Sequence, residues 1–118
     1  MLPAEDREIR LGLWKIHILH QAASREVWGL WLLEELAEHG HRVSPGTLYP
    51  ALARMEANGW LERQKAGAHP RARQLYKITP AGRALLRALR REVTELYREV
   101  VLGDEPPHPS RPPRRKRT

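Results

Sequence analysis

A mainly α-helical chain with one small β-hairpin is the fold class that the sequence predicts, on three observations. Four stretches carry apolar residues at helical spacing: Glu5 to Gln21, Val27 to His39, Ser44 to Asn58 and Thr79 to Leu102. Between the last two, Trp60 to Gln64 and Arg73 to Ile78 alternate apolar and polar residues around the loop KAGAHPRA, which is the pattern of a hairpin. The 118 residues leave room for one domain, and a core of that size is marginal enough for a partner subunit to help.

The first helix is favoured by Pro3, Glu5 and Asp6, since proline suits a first turn and acids suit the positive end of the helix dipole. Its apolar residues form two stripes. Ile9, Leu13 and Ile16 lie on one side and Leu11, Trp14 and Ile18 on the other, with Arg10 and Lys15 between them. A helix apolar on two sides is covered on two sides, either by its own domain and a second copy or wholly from within. Ser24 is a candidate N-cap for the second helix, VWGLWLLEELAEH, whose apolar residues run almost all the way round before Glu34, Glu35 and Glu38. Gly40 is its expected C-cap, and Gly40 to Val43 a tight turn.

The third helix begins at Ser44-Pro45, where a serine hydroxyl can accept an orphan amide and proline gives up no useful donor. It ends at Asn58-Gly59. At about 100° per residue, Leu48, Ala51, Leu52 and Met55 share the core face, and Gly46, Pro50, Ala53 and Ala57 share the other, with Thr47, Tyr49 and Arg54 at its margins. A small, nearly uncharged outer face suits close approach to another macromolecule better than it suits water. Helix, short turn and close-approaching helix make a helix-turn-helix, and the hairpin makes it winged.

Thr79-Pro80 repeats the cap-plus-proline start. Leu85, Leu89, Val93, Leu96 and Val100 then form one stripe, opposite Arg87, Arg91, Glu95 and Arg98. A long terminal helix with such a stripe is expected to pack on another subunit. The expected organisation is a winged-helix domain over 1–78 including the first helix, a dimerisation helix over 79–102 and a disordered, basic, proline-rich tail over 103–118. Leu11, Trp14 and Ile18 with Leu85, Leu89, Val93, Leu96 and Val100 are the expected dimer interface.

The formal charge is +7. From Arg42 to Lys77 seven Lys or Arg stand against Glu56 and Glu62, a net of +5, so most of the excess sits in and just after the third helix, a footprint for phosphates. There is no cysteine, which excludes disulfides and thiolate zinc sites. No apolar run approaches the roughly 20 residues of a membrane span, and the acidic N-terminus is unlike a signal peptide; the cytoplasm is the expected location. His17 and His20 lie three apart, and His39 and His41 two apart, with no carboxylate at ligand spacing, so surface roles and no metal are expected. Phosphate loops, nucleophile elbows and paired carboxylates are lacking, so neither an enzyme nor a cofactor is expected.

The run VSPGTLYPALARMEANGWL, followed by QLYKITPAGRALL, resembles the winged-helix domain of the PadR family of bacterial transcriptional regulators. The resemblance covers about Leu11 to Leu89. It rests on Gly29, the GTLYPAL run, the step Glu56 to Leu61 into the wing and the stretch Tyr76 to Gly82. It implies a homodimer on a pseudo-palindromic operator in double-stranded DNA, usually a repressor released by a small molecule. Ser44, Gly46, Thr47, Tyr49 and Pro50 lie in the motif that faces DNA in the family. Members that bind flat drugs use an aromatic between their C-terminal helices; here that position is met only by Tyr97, with no tryptophan.

Arg54, Lys65, His69, Arg71 and Arg73 are the expected phosphate contacts, which position the protein without specifying sequence. Thr47, Tyr49 and the helix backbone are the expected readers. Trp14, Ile18, Val93, Leu96 and Tyr97 are the candidate lining for a small hydrophobic or phenolic effector. The rival reading is a winged-helix protein-interaction module that binds DNA weakly and without sequence preference.

Overall fold

The computed structural model describes residues 4–65 and 74–104. In chain order they form α1 (Ala4–Ser24), α2 (Gly29–Glu38), α3 (Pro45–Ala57), β1 (Leu61–Lys65), β2 (Gln74–Ile78) and α4 (Pro80–Leu96), closed by a π-type turn, Tyr97–Val101. The chain divides after Ala88 into two compact units, Met1–Ala88 and Leu89–Thr118. Mainly helical with one two-stranded antiparallel hairpin is the fold class that the sequence predicted.

The first unit is built on one apolar core. Trp14, Ile18, Leu19 and Ala22 of α1 meet Leu32 and Leu36 of α2 there, with Leu48, Ala51, Leu52 and Met55 of α3, Leu61 of β1, Tyr76 of β2 and Leu86 of α4; all are buried. The core face read for the third helix is the one buried. Among the described residues no polar or charged residue is buried with it.

Helices α2 and α3 end in the same way. Gly40 takes φ +87° and Gly59 φ +82°, a left-handed conformation that glycine adopts without a Cβ penalty. The amides of Gly40 and His41 return to the carbonyls of Ala37 and Leu36, at 3.0 and 2.8 Å. Those of Gly59 and Trp60 return to Glu56 and Met55, at 2.9 and 3.0 Å. This is the Schellman arrangement, which satisfies the last carbonyls of a helix and turns the chain sharply.

Two expectations for the second helix fail. It starts at Gly29 rather than Val27, and Trp28, with φ −138° and ψ 163°, stands at its N-cap. Ser24 closes α1 instead, its hydroxyl 3.4 Å from the carbonyl oxygen of Gln21. The reason is Val27, a β-branched residue whose extended backbone exchanges both its hydrogen bonds with Tyr76, at 3.1 and 2.8 Å. That bridge adds a third rung to the hairpin and buries Val27 completely. The hairpin itself runs in register from Leu61 opposite Ile78 to Lys65 opposite Gln74. The tail beyond Asp104 lies outside the described residues.

In the second unit the helical run ends as a π-type turn. The Leu102 amide donates to the Tyr97 carbonyl five residues back, at 3.1 Å, where an unbroken α-helix over 79–102 was expected. Val93, Leu96, Tyr97, Val100, Val101 and Leu102 are exposed there.

Candidate nucleic-acid interface

Helix α3 is presented by its caps. Ser44 Oγ accepts the Thr47 amide at 3.2 Å and donates to Thr47 Oγ1 at 3.2 Å, so the Ser44 hydroxyl is engaged in starting the helix. Pro45 occupies the first turn, as read from sequence. Gly46, Pro50, Ala53, Arg54 and Ala57 are exposed and Thr47 half-buried. Pro50 has no N–H, so the carbonyl of Gly46, four residues back, lacks its intrahelical donor. An open acceptor therefore stands on the small face.

Tyr49 is half-exposed, and its position is set from behind. The Tyr49 ring and hydroxyl occupy the place where a Cβ on Gly29 would lie. Gly29, at the first turn of α2, thereby lets the ring lie flat against the preceding helix with one edge turned outward.

The hairpin is fixed at the C-terminal end of α3. Arg63 of β1 donates through Nη1 to Gln74 Oε1 at 2.9 Å, and its Nε lies 3.5 Å from Glu56 Oε1 on α3. At the base of the hairpin, the Thr79 hydroxyl accepts the Gly82 amide at 2.9 Å and donates to the Gly59 carbonyl at 2.5 Å. Gly82 permits this approach, because a Cβ there would run into the Trp60 carbonyl. The backbone of Lys65 ends β1 opposite Gln74. His69, Arg71 and Arg73 lie outside the described residues.

The expected stripe on α1 is reversed. Trp14 and Ile18 are 4 % and 1 % exposed, spent on the core of their own unit, while Ile9 and Leu13 stand 72 % and 50 % exposed. Leu11 is half-buried. Periodicity showed two apolar stripes but had no means of telling which one the unit's own core would claim. Ile18 therefore lines no cavity, and Trp14 borders a cleft on its own unit rather than the expected effector lining. In the C-terminal half Leu85 and Leu89 are half-buried, and Val93, Leu96, Tyr97 and Val100 exposed.

Two constellations went unread in the sequence. The histidines taken there as two surface pairs come together. His17 of α1 has ring centroids at 4.6 Å from His39, 5.9 Å from His41 and 6.3 Å from His20. Burial, then the neighbouring His39, His41 and His20, lowers the pKa of His17, opposed by Glu35. Among the described residues no group of three has the geometry to hold a metal ion. The second constellation is a cleft of about 720 Å³ whose walls include Arg7, Arg10 and Trp14 of α1 and Arg42, Ser44 and Thr47 at the start of α3. The spacing of Arg7, Arg10 and Trp14, three and then four residues, was the signal that could have placed them on one face.

Comparison with known proteins agrees with this architecture. The model of the transcriptional regulator PadR-like family matches residues 18–88. The chain is 53% identical over 97 residues to transcriptional regulator Rv3488 of Mycobacterium tuberculosis, covering 82% of this chain and 91% of that protein. A PadR family regulator from Eggerthella lenta superposes with a TM-score of 0.72 at 28% identity, over 82% of this chain and 86% of that one. A PadR-like regulator from Bacillus cereus gives 0.69 at 28% identity, over 80% and 95%. Sequence and fold agree over the same span, and the chain belongs to the PadR-like family of transcriptional regulators.

Proposed function

We propose that the chain is a homodimeric, sequence-specific DNA-binding repressor acting in the cytoplasm on a pseudo-palindromic operator. The observation that carries this reading is the outer face of α3: exposed Gly46, Pro50, Ala53 and Ala57 around a half-exposed Tyr49. A helix with such a face can lie close in a major groove, its Tyr49 edge, Thr47 and the free Gly46 carbonyl facing base edges. Arg54 and the basic wing loop hold phosphates, which add affinity without sequence. Two such helices in one dimer read half-sites about 34 Å apart.

Dimerisation is supported by apolar side chains left in water within each unit, Ile9 and Leu13 in the first and Val93, Leu96, Tyr97 and Val100 in the second. An exposed apolar set of this kind marks an interaction surface. A small hydrophobic or phenolic effector releases the repressor by binding one spacing of the two α3 helices better than the other. Val93, Leu96 and Tyr97 are its proposed contacts. Selection of bound sequences from a random duplex pool, followed by footprinting, tests the reading: a two-fold symmetric motif is expected, and weak binding without sequence preference at low salt defeats it.

A further inference from the structure

The cleft between α1 and the start of α3 has a chemistry that the wing and the small face of α3 do not use. Three guanidiniums, those of Arg7, Arg10 and Arg42, border it, and no carboxylate shares its lining. The ion pairs among the described residues are His39 with Glu35 and Arg63 with Glu56, so none of these three arginines has a carboxylate partner there. Like charges gathered in one concavity repel each other unless an anion joins them.

Two further features of the same wall call for an acceptor. Trp14 is 4 % exposed, and its indole Nε1–H is the one buried side-chain polar atom among the described residues without a hydrogen-bond partner. Buried donors are nearly always paired. Ser44 and Thr47 belong to the first turn of α3, and the cleft reaches that turn, where the helix dipole and unpaired amides favour negative charge.

We infer that this cleft binds phosphate, and that the phosphate belongs to the backbone of the duplex that α3 reads; this rests on the function proposed above. The duplex is favoured over a soluble anion because Arg7, Arg10 and Arg42 are exposed side chains. Such groups suit a hydrated line of phosphates running past the surface, whereas a small anion calls for enclosure. The placement also complements the wing. Helix α3 has 13 residues, about 20 Å of rise, with the cleft at its first turn and Arg63 of the hairpin tied to Glu56 in its last. A major groove is about 12 Å wide between its two backbones. The cleft and the hairpin therefore meet phosphates on opposite sides of the groove that α3 occupies, and the cleft fixes how deeply the first turn enters.

The test is the salt dependence of duplex binding by the full chain, for the wild type and for Arg7→Ala with Arg10→Ala, on a random-sequence duplex and on a duplex recovered by selection. Each lost phosphate contact reduces the slope of log K against log salt by about 0.9. A reduction of about 1–2, with a similar loss of affinity on both duplexes and recovery of the slope in Arg7→Lys with Arg10→Lys, is the expected result. An unchanged slope in a folded double variant, while the wild type binds both duplexes, overturns the cleft assignment and leaves the proposed function standing. A wild type that binds neither duplex removes both. The Trp14 indole N–H resonance, followed by NMR, separates the sources of phosphate. It is expected to move on duplex addition, and saturation by micromolar pyrophosphate with no response to duplex assigns the cleft to a soluble anion and overturns the inference.

Discussion

The ring of Tyr49 fills the space that a side chain on Gly29 would need. The residue at the centre of the outer face of α3 is thus positioned by an absent methyl group on the helix behind it. Gly29→Ala forces one of the two to move, and overpacking of this kind costs about 1–3 kcal/mol. We expect Gly29→Ala to lower the melting temperature and weaken DNA binding, and Gly29→Ala with Tyr49→Ala to regain stability without regaining binding. A double-mutant cycle in thermal unfolding measures the coupling; additive effects contradict the contact.

Thr79 joins three segments with one hydroxyl, capping α4 at Gly82 and holding the carbonyl of Gly59. Thr79→Ala removes a helix cap, a loss of about 1 kcal/mol, and leaves the Gly59 carbonyl unpaired. Thr79→Ser keeps both bonds. Chemical denaturation is expected to rank wild type and Thr79→Ser together, with Thr79→Ala below them.

His17 makes stability depend on pH in a definite direction. It faces His20 on α1, Glu35 on α2 and His39 and His41 at the turn into α3. Burial and the neighbouring histidines place its pKa below the ordinary 6.5 in the folded state, so the unfolded chain takes up the proton first. The contribution is fully present above about pH 6.5 and is lost as the pH falls below that value. Melting temperatures from pH 7.5 to 5.5 are expected to fall for the wild type and to fall less for His17→Gln; parallel curves remove His17 as the cause.

Leu96 and Val100 are 56 % and 72 % exposed, so neither is spent on folding its own unit. Leu96→Asp with Val100→Asp is expected to leave helix content unchanged and to convert the dimer to monomers, as read by light scattering. A charged variant that stays dimeric places the subunit contact elsewhere.

What the sequence made legible was local chemistry. Ser44-Pro45, Asn58-Gly59 and Thr79-Pro80 each act within a few residues of the chain, and all three mark the ends that the structure has. The helical core faces were legible wherever one stripe was apolar, as in α3. Where two stripes competed, in α1, the choice rested on which one the other helices cover, and that is settled by packing between distant segments. Val27 escaped for the same reason: its partner, Tyr76, lies far along the chain. The arginine cleft and the histidine cluster are likewise assembled from α1 and the turn before α3, and neither segment alone carries the pattern.

The paired backbone bonds between Val27 and Tyr76 give the hairpin a mechanical attachment to the link preceding α2. A tilt of β2 drags that link with it, and with it the glycine on which Tyr49 rests. Bending of the wing by a bound duplex is therefore felt at the reading residue through covalent and hydrogen-bonded chain, and the amide protons of Val27 and Tyr76 should exchange with solvent as a single unit.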